Sequence, residues 1–514
     1  MAQPASPAVG RLNRVGLPQL LIGAILLLAI IPATAPVSDP DFFWHLRVGQ
    51  WILDHHMIPT HDLFTFTVPE HRFVAHEWLS EVIMAVLTGL FGLGGVTIYF
   101  AIITWGGFLG ILRTVHAGYL IAGIGLAIGF LAGGPIWGPR TQMITFAFVV
   151  VLLLWLRRFR DSHDRRWLYP IPVLFVFWVN LHAGFTIGLV FLIVTVAGES
   201  ARNWFRARDG AQADAAATPM GPLLAVLGLS LVAVLLNPNL AAIYVYAAET
   251  QFSTAQQKLI VEWFSPDFHL LELRAFEAML LLVICLLVGS PRKPRLTDML
   301  LLLAGLVLAL QSVRHIALFV AIATPIMIEL GQATWDANRG RLPRLREPRP
   351  SALIGGINLV VLMLIGVLAL SHALPAVRSG FRSQAVTRDY PVAAVDFVES
   401  DPPPGHVFNQ YGWGGYLVYR MWPQLQVFIY GDAAVMGDPF LNEYQTVAVL
   451  QPDYLGVLNR RGVTWVVYST GQPLEVVLRQ TPGWRVVYQD KVASVLVRSG
   501  PETEAYLTRH PTTR

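Results

Sequence analysis

The sequence predicts a polytopic α-helical membrane protein of about eleven transmembrane helices, followed by a small C-terminal extracytoplasmic α/β domain. Three observations carry this. Of 514 residues, 54% are hydrophobic and only 14% are charged, against roughly 25% charged in an ordinary soluble protein. Apolar runs of near-transmembrane length recur at about 18–36, 94–112, 119–136, 141–156, 168–181, 184–199, 220–236, 275–289, 297–312, 315–331 and 352–371. Beyond residue 371 acids and bases balance at twelve each, and the apolar runs shorten to strand length.

Orientation follows from the connecting loops. With the N-terminus inside, the inner segments hold Arg11, Arg14, Arg113, five cations in RRFRDSHDRR, three between 200 and 219, three in SPRKPR and five between 332 and 351. That makes nineteen. The outer loops hold six: Arg47, Arg72, Arg140, Lys258, Arg274 and Arg314. Cationic loops stay on the cytoplasmic side, so the N-terminus is expected in the cytoplasm and the C-terminal domain outside it. The run from Leu17 to Ile31 before Ala33-Thr34-Ala35 is longer than a usual signal-peptide core, so an uncleaved first span is expected. The single Cys285 excludes a disulfide framework.

The division expected is a transmembrane domain, 1–371, and an α/β domain, 372–514. The first outer loop, 38–77, is rich in His and aromatic residues, and FVAHEWLSEVIMAVLTGLFG after it suggests a helix lying in or re-entering the interface. The second long outer loop, 237–274, holds a helix-like YVYAAETQF and the aromatic EWFSPDF. In the tail HVFNQ, LQVFIY, VTWVVYS, WRVVYQD and ASVLVRS read as strands. PVAAVDFVES, GGYLVYRM and PFLNEYQTVAVL between them read as helices. No internal repeat is visible.

Ionisable groups near a membrane are costly and mark function. The sharpest group is Asp39-Pro40-Asp41 in SDPDFFWHLRVGQWIL. Proline disfavours helix at Asp39, and carboxylates two apart in an extended segment point the same way. Such a pair suits a divalent ion, Mg or Mn, or lets one member take a proton from an attacking hydroxyl. The plain alternative is that Asp41 only N-caps the helix that follows, worth about 1 kcal/mol.

Six of the fourteen histidines, His45, His55, His56, His61, His71 and His76, fall in the first outer loop. Neither HExxH nor a Cys-supported spacing accompanies them, so hydrogen bonding at the wet interface is expected rather than zinc. SVRHIALF places Arg314 and His315 at the outer start of a span, where they suit an anion such as a lipid phosphate. In WVNLHAGFTIG, Asn180, His182 and Gly184 read as a tight turn, with His182 facing the outer cavity. Glu262 and Asp267 in EWFSPDF are either a second acidic contribution or helix-end caps.

These segments together resemble the GT-C superfamily of integral membrane glycosyltransferases, in its uncharacterised bacterial branch. The shared features are the acidic DxD-like motif in the first outer loop, an amphipathic helix after it, many spans and an outer C-terminal α/β domain. VFNQYGWGGYL is also weakly similar to the WWDYG-containing segment of the oligosaccharyltransferase catalytic subunit. There the motif's acid is replaced, with Gln410 before Tyr411 and Gly412, so peptide-acceptor recognition is not implied.

The resemblance implies an enzyme of the bacterial inner membrane that transfers a hexose or pentose with inversion. The donor would be a polyprenyl-phosphate sugar and the acceptor a hydroxyl of a glycan, lipid or protein; nothing points to nucleic acid. Asp39, Asp41 and Glu262 would be catalytic, with Asp39 and Asp41 holding any Mg or Mn. Arg314, His315, Arg47 and Arg140 would meet the donor phosphate, and His45, Trp44, His182, Glu77 and Tyr411 would line the substrate cavity. Trp44, Trp51 and Trp263 would seat the prenyl chain. Two other functions fit the composition. A flippase for lipid-linked glycans predicts mid-span charges and repeats, and a non-catalytic envelope scaffold predicts lost acids.

Overall fold

The computed structural model describes residues 15–34, 37, 39–208, 217–340, 351–378 and 388–511. Arg11, Arg14, Ala35, Ser38 and the basic segment 341–350 lie outside them. Each of the eleven apolar runs holds a helix. Among the described residues, five helices are long and apolar enough to cross a membrane: Trp78–Thr114, Gln142–Ser162, Phe185–Arg208, Val313–Asn338 and Ala352–Pro375. The others are shorter, Tyr119–Ala132 and Met220–Ala233 among them. A helix of 14 residues reaches only about 21 Å, short of the roughly 30 Å hydrocarbon core. Breakers such as Gly133-Gly134-Pro135 end a helix within an apolar stretch.

The chain divides into two compact units. The first comprises Met1–Ala35, Thr97–Leu236 and Glu262–Arg378. Small residues bring its helices together: a Cβ on Gly129 would come within 2.4 Å of Thr324 Oγ1, and one on Gly125 within 2.3 Å of Ile328. The Tyr119–Ala132 and Ile316–Asn338 helices thus pack backbone to side chain. By contrast, the Ala352–Arg378 helix turns apolar side chains outward, with Leu353 74% and Val367 64% exposed. Apolar surface of that extent suits contact with lipid rather than water.

The second unit comprises Pro36–Val96, Asn237–Val261 and Ser379–Arg514. It is larger than the tail, because most of both long outer loops folds with it. Its sheet holds β1 (His406–Asn409), β2 (Val463–Ser469), β3 (Trp484–Gln489) and β4 (Ala493–Arg498) in the order β1-β2-β4-β3. β1 runs parallel to β2, while β2 and β3 each run antiparallel to β4. Central β2 is buried along nearly its whole length, in keeping with a sequence that is apolar on both faces apart from Thr464 and Ser469. The β3–β4 turn is closed by Asp490, whose Oδ1 accepts from the Val492 and Ala493 N–H groups at 2.7 Å each.

Four of the five expected strands form; LQVFIY does not. Leu425–Tyr430 runs extended, with one isolated bridge between Val427 and Thr65. Its polar backbone is met from two sides. Val427 N–H donates to Phe64 O at 2.9 Å and Thr67 Oγ1 to Phe428 O at 2.8 Å. Asn409 Oδ1 accepts from Phe428 N–H at 2.9 Å, and its Nδ2 donates to Ile429 O at 2.8 Å. One amide thus serves two backbone groups that no β-ladder meets.

The FVAHEWLSEVIMAVLTGLFG segment does form a helix of its own. The Trp78–Thr114 helix is broken at Gly92, where φ is +67°, a conformation that glycine reaches without cost. Its first part crosses the Phe42–His55 helix at Gly49, where a Cβ would stand 2.0 Å from the Glu81 carbonyl oxygen. Backbone cannot yield there as a side chain can. Gly49→Ala should therefore lower stability by about 1–3 kcal/mol, read as a fall in thermal unfolding temperature, whereas an alanine at Gly89, with nothing within 4 Å of its Cβ position, should not.

Candidate functional site

In the second unit, the DPD motif opens the Phe42–His55 helix. Asp39 turns inward on its own chain: its Oδ1 accepts from the Asp41 N–H at 2.9 Å. Asp41 occupies the N-cap position, yet its side chain accepts no cap hydrogen bond. Instead its Oδ1 accepts from Trp44 Nε1 at 3.0 Å. Asp39 thus closes a turn just before the helix, the helix start has no side-chain cap, and Asp41 is held by an indole.

The GWGG segment of the tail packs on this motif. A Cβ on Gly415 would lie 2.8 Å from Pro40 O, and one on Gly431 would lie 1.7 Å from Asp41 Oδ1. Gly414 is helical in backbone, and a Cβ there would collide with Ile429 O at 2.0 Å. Close approach is what these positions require. Tyr411 is half-buried beside them, with its hydroxyl donating to Gly431 O at 3.2 Å. Burial, with Asp41 and Asp432 nearby, holds that phenol well above its ordinary pKa. Gln410, in place of the motif acid, accepts through Oε1 from Ser469 N–H at 3.0 Å and extends the β1–β2 pairing.

Behind the motif lies a buried ionic cluster. His45 stacks on Trp44 with ring centroids 3.6 Å apart. Its Nδ1 lies 2.9 Å from Glu81 Oε1 and its Nε2 3.6 Å from Glu77 Oε2. Burial opposes the charged imidazole, but Glu77, Glu81 and Asp41 outweigh it and push the pKa up to about 9. His76 Nε2 lies 3.4 Å from Glu77 Oε1, and its ring stacks on Tyr246 at 4.7 Å. Its pKa is raised too: burial opposes the charge, and Glu77 and Asp432 prevail. Asp432 completes the group. It is 4% exposed, and its Oδ2 has no hydrogen bond partner. Burial pushes its carboxyl up, against the pull of His76 and His45.

In the first unit, the second outer loop and two helix starts form another charged group. Arg140 Nη1 donates to Glu262 Oε1 at 2.5 Å, and Gln142 Nε2 donates to Glu262 Oε2 at 3.3 Å. The Arg314 guanidinium lies 5.5 Å from the centre of the Trp263 ring. Burial raises the Glu262 carboxyl, but Arg140 and Arg314 more than offset it, so Glu262 sits below the usual carboxylate range. Ser312 Oγ donates to Glu262 O at 2.8 Å, and Val313 N–H to Phe264 O at 3.0 Å. These bonds pin the loop to the turn that carries Arg314 and His315, whose Nδ1 is buried without a hydrogen bond partner. His182 Nδ1 accepts from Gly184 N–H at 2.9 Å and lies 2.8 Å from Thr145 Oγ1. That pattern assigns a neutral ring with its proton on Nε2.

The predicted residues therefore fall into two sets. Asp39, Asp41, Trp44, His45, Glu77 and Tyr411 gather in the second unit, and Arg140, Glu262, Arg314, His315 and His182 belong to the first. Arg47 joins neither: its Nη2 donates to Trp422 O at 2.7 Å, its Nη1 to Gln50, and its plane covers the Trp422 ring. Trp44, read as an interface aromatic, is 3% exposed because its ring packs between Asp41 and His45. Asp267 closes an exposed turn onto His269.

Sequence reasoning missed Glu81, Asp432 and Gln142. For Asp432 the one signal was a Gly-Asp pair directly after the apolar LQVFIY. The metal reading of Asp39 and Asp41 finds no support in geometry. Among the described residues no group of three His, Cys, Asp or Glu side chains is placed to hold an ion, and the two carboxylates each have an oxygen engaged by a different N–H.

No protein-family model and no curated protein matches the chain. Solved structures do. The likeness is one of fold. The chain is similar to ArnT from Cupriavidus metallidurans bound to undecaprenyl phosphate, covering 94% of this chain and 98% of that one at 14% identity and a TM-score of 0.50. It is similar also to the archaeal oligosaccharyltransferase AglB from Archaeoglobus fulgidus in complex with an inhibitory peptide and a dolichol-phosphate, covering 93% and 74% at 11% identity and a TM-score of 0.51.

His45 makes stability depend on pH. Its folded pKa of about 9 stands above the ordinary 6.5, so its contribution is complete below about pH 6.5 and is lost as pH rises through about 9. The unfolding temperature of the wild type should fall across that window, and in His45→Gln this fall should shrink; equal slopes in both proteins would contradict the assignment.

Proposed function

We propose that the chain is a glycosyltransferase that moves a sugar from a polyprenyl-phosphate donor to an acceptor hydroxyl on the outer face of the bacterial cytoplasmic membrane. Support comes from the fold, matched over nearly the whole chain, and from neighbours bound to undecaprenyl phosphate and dolichol-phosphate. The nineteen-to-six distribution of cations favours an inside N-terminus and an outside tail. The observation that carries the reading is the placement of Asp41. It is a half-buried carboxylate at the head of the outer-loop helix, held by the Trp44 indole rather than used as a cap.

In the proposed reaction the acceptor oxygen attacks the anomeric carbon while its proton passes to Asp41. The bond from that carbon to the phosphate oxygen breaks, its electron pair leaves with the phosphate, and the configuration inverts. Asp39 is a positioning residue, since its carboxylate fixes the turn that presents Asp41. Arg140 and Arg314 are assigned to the departing phosphate, for which guanidinium is a planar fork of donors. Glu262, countered by both arginines, is too weak a base for the proton and is assigned to holding Arg140 in place.

The test is transfer activity in membranes supplied with lipid-linked sugar. Asp41→Asn keeps an oxygen for the Trp44 indole but loses the base, so transfer should fall about 10²- to 10⁴-fold. Asp39→Asn retains a side chain that can close the same turn, and should cost less than about tenfold. If Asp41→Asn retained full activity, Asp41 would not be the base. Separately, Arg314→Gln should lower the rate of transfer by about 10²-fold, with Arg314→Lys intermediate because it restores charge but not the fork.

A further inference from the structure

The Gln142–Ser162 helix carries charge at both ends. Arg140 just precedes its start, and Arg157 and Arg160 lie in its last turns, so the two charged groups stand about 26–30 Å apart along the axis. That is close to the thickness of a bilayer's apolar core. The far end therefore belongs to the opposite membrane surface from the Glu262 loop.

At that far end is a cavity of about 380 Å³, lined by Arg157, Arg160, Arg292, Lys293 and Arg295 against only Asp161, Asp298 and Glu329. Each of the three acids already has a partner: Arg295 meets Asp161 at 2.7 Å, Arg160 meets Asp298 at 2.7 Å, and Arg157 pairs with Glu329. Two cations are then in surplus. Arg292 reaches Glu329 only at 3.8 Å, and Lys293 donates to the backbone oxygens of Leu287 and Val288.

Arg160 adds a second, independent observation. Its residue is 6% exposed, and its Nε and Nη1 are buried without a hydrogen bond partner. Nη1 lies 3.6 Å from Glu199 Oε1, beyond hydrogen-bond reach. Glu199 itself is engaged by Thr218, Thr297 and Arg202. Buried donors of this kind are costly to leave unmet.

We propose that this cavity is an anion site that takes a phosphate group, carried on a lipid headgroup at the membrane surface or free in solution. Its surplus of two cations balances the charge of a phosphate dianion, and guanidinium donors without a hydrogen bond partner suit phosphate oxygens. Basic pockets between membrane helices are suited to anionic headgroups for the same reason.

The test uses the purified full-length protein in zwitterionic detergent, with its unfolding temperature followed against four probes: dihexanoyl-phosphatidylglycerol, dihexanoyl-phosphatidylcholine, inorganic phosphate, and chloride at matched ionic strength. Saturable stabilisation by phosphatidylglycerol but not phosphatidylcholine identifies a lipid phosphate, and saturable stabilisation by inorganic phosphate at comparable concentration identifies a soluble anion. Arg292 and Lys293 are exposed on a loop, so Arg292→Gln with Lys293→Gln should keep the fold and need at least about tenfold more of the effective probe. Arg292→Lys with Lys293→Arg should respond as the wild type does. The proposal is overturned if neither phosphatidylglycerol nor inorganic phosphate exceeds chloride, if phosphatidylcholine stabilises as well as phosphatidylglycerol does, if the neutral variant responds like the wild type, or if the charge-retaining variant also loses the response.

Discussion

An imidazolium buried in protein must be met by opposite charge, and His45 is met by two carboxylates from the next helix. The second unit is organised around that requirement. Glu77 and Glu81 stand one turn apart, so both face the Phe42–His55 helix, and Gly49 lets the two backbones close until the ion pairs form. Trp44 then lies over His45 and donates to Asp41. The orientation of the proposed base is thus linked, through one aromatic ring, to a charge balance buried beneath it.

The first unit follows a different rule. Many of its charges sit towards helix ends, and Glu199, fully buried within the Phe185–Arg208 helix, is met by Thr218, Thr297 and Arg202. Arg140, Glu262 and Arg314 gather at one end of the Gln142–Ser162 helix, and Arg157 and Arg160 pair with Glu329 and Asp298 at the other. Lone charges in the apolar layer would cost several kcal/mol each. Pairing at the ends avoids that cost and fixes how far each helix can slide along its neighbours.

Much of this was legible in the sequence, because hydrophobic periodicity and turn chemistry are local. The eleven apolar runs, the break at Gly92 and four of the five strands were visible for that reason. What could not be read depended on a partner distant in sequence. LQVFIY has the composition of a strand, but the Asn409 side chain meets two of its backbone groups. Asp432 looks like one more surface acid until folding buries it near His45 and His76. Trp44 has the signature of an interface aromatic and yet is enclosed. Helix length is less legible than the runs themselves, because glycine and proline end helices inside stretches that average as apolar.

The Asn409 amide also constrains how such a chain can diverge. The segment it holds, Leu425–Tyr430, leads directly into Gly431, whose backbone lies against the Asp41 carboxylate. A descendant that lost the amide would have to rebuild 425–430 as a true strand beside β1, or let Gly431 drift from Asp41. Positions 409 and 431 should therefore change together or not at all over evolutionary time, although no contact between their side chains links them and 22 residues separate them in the chain.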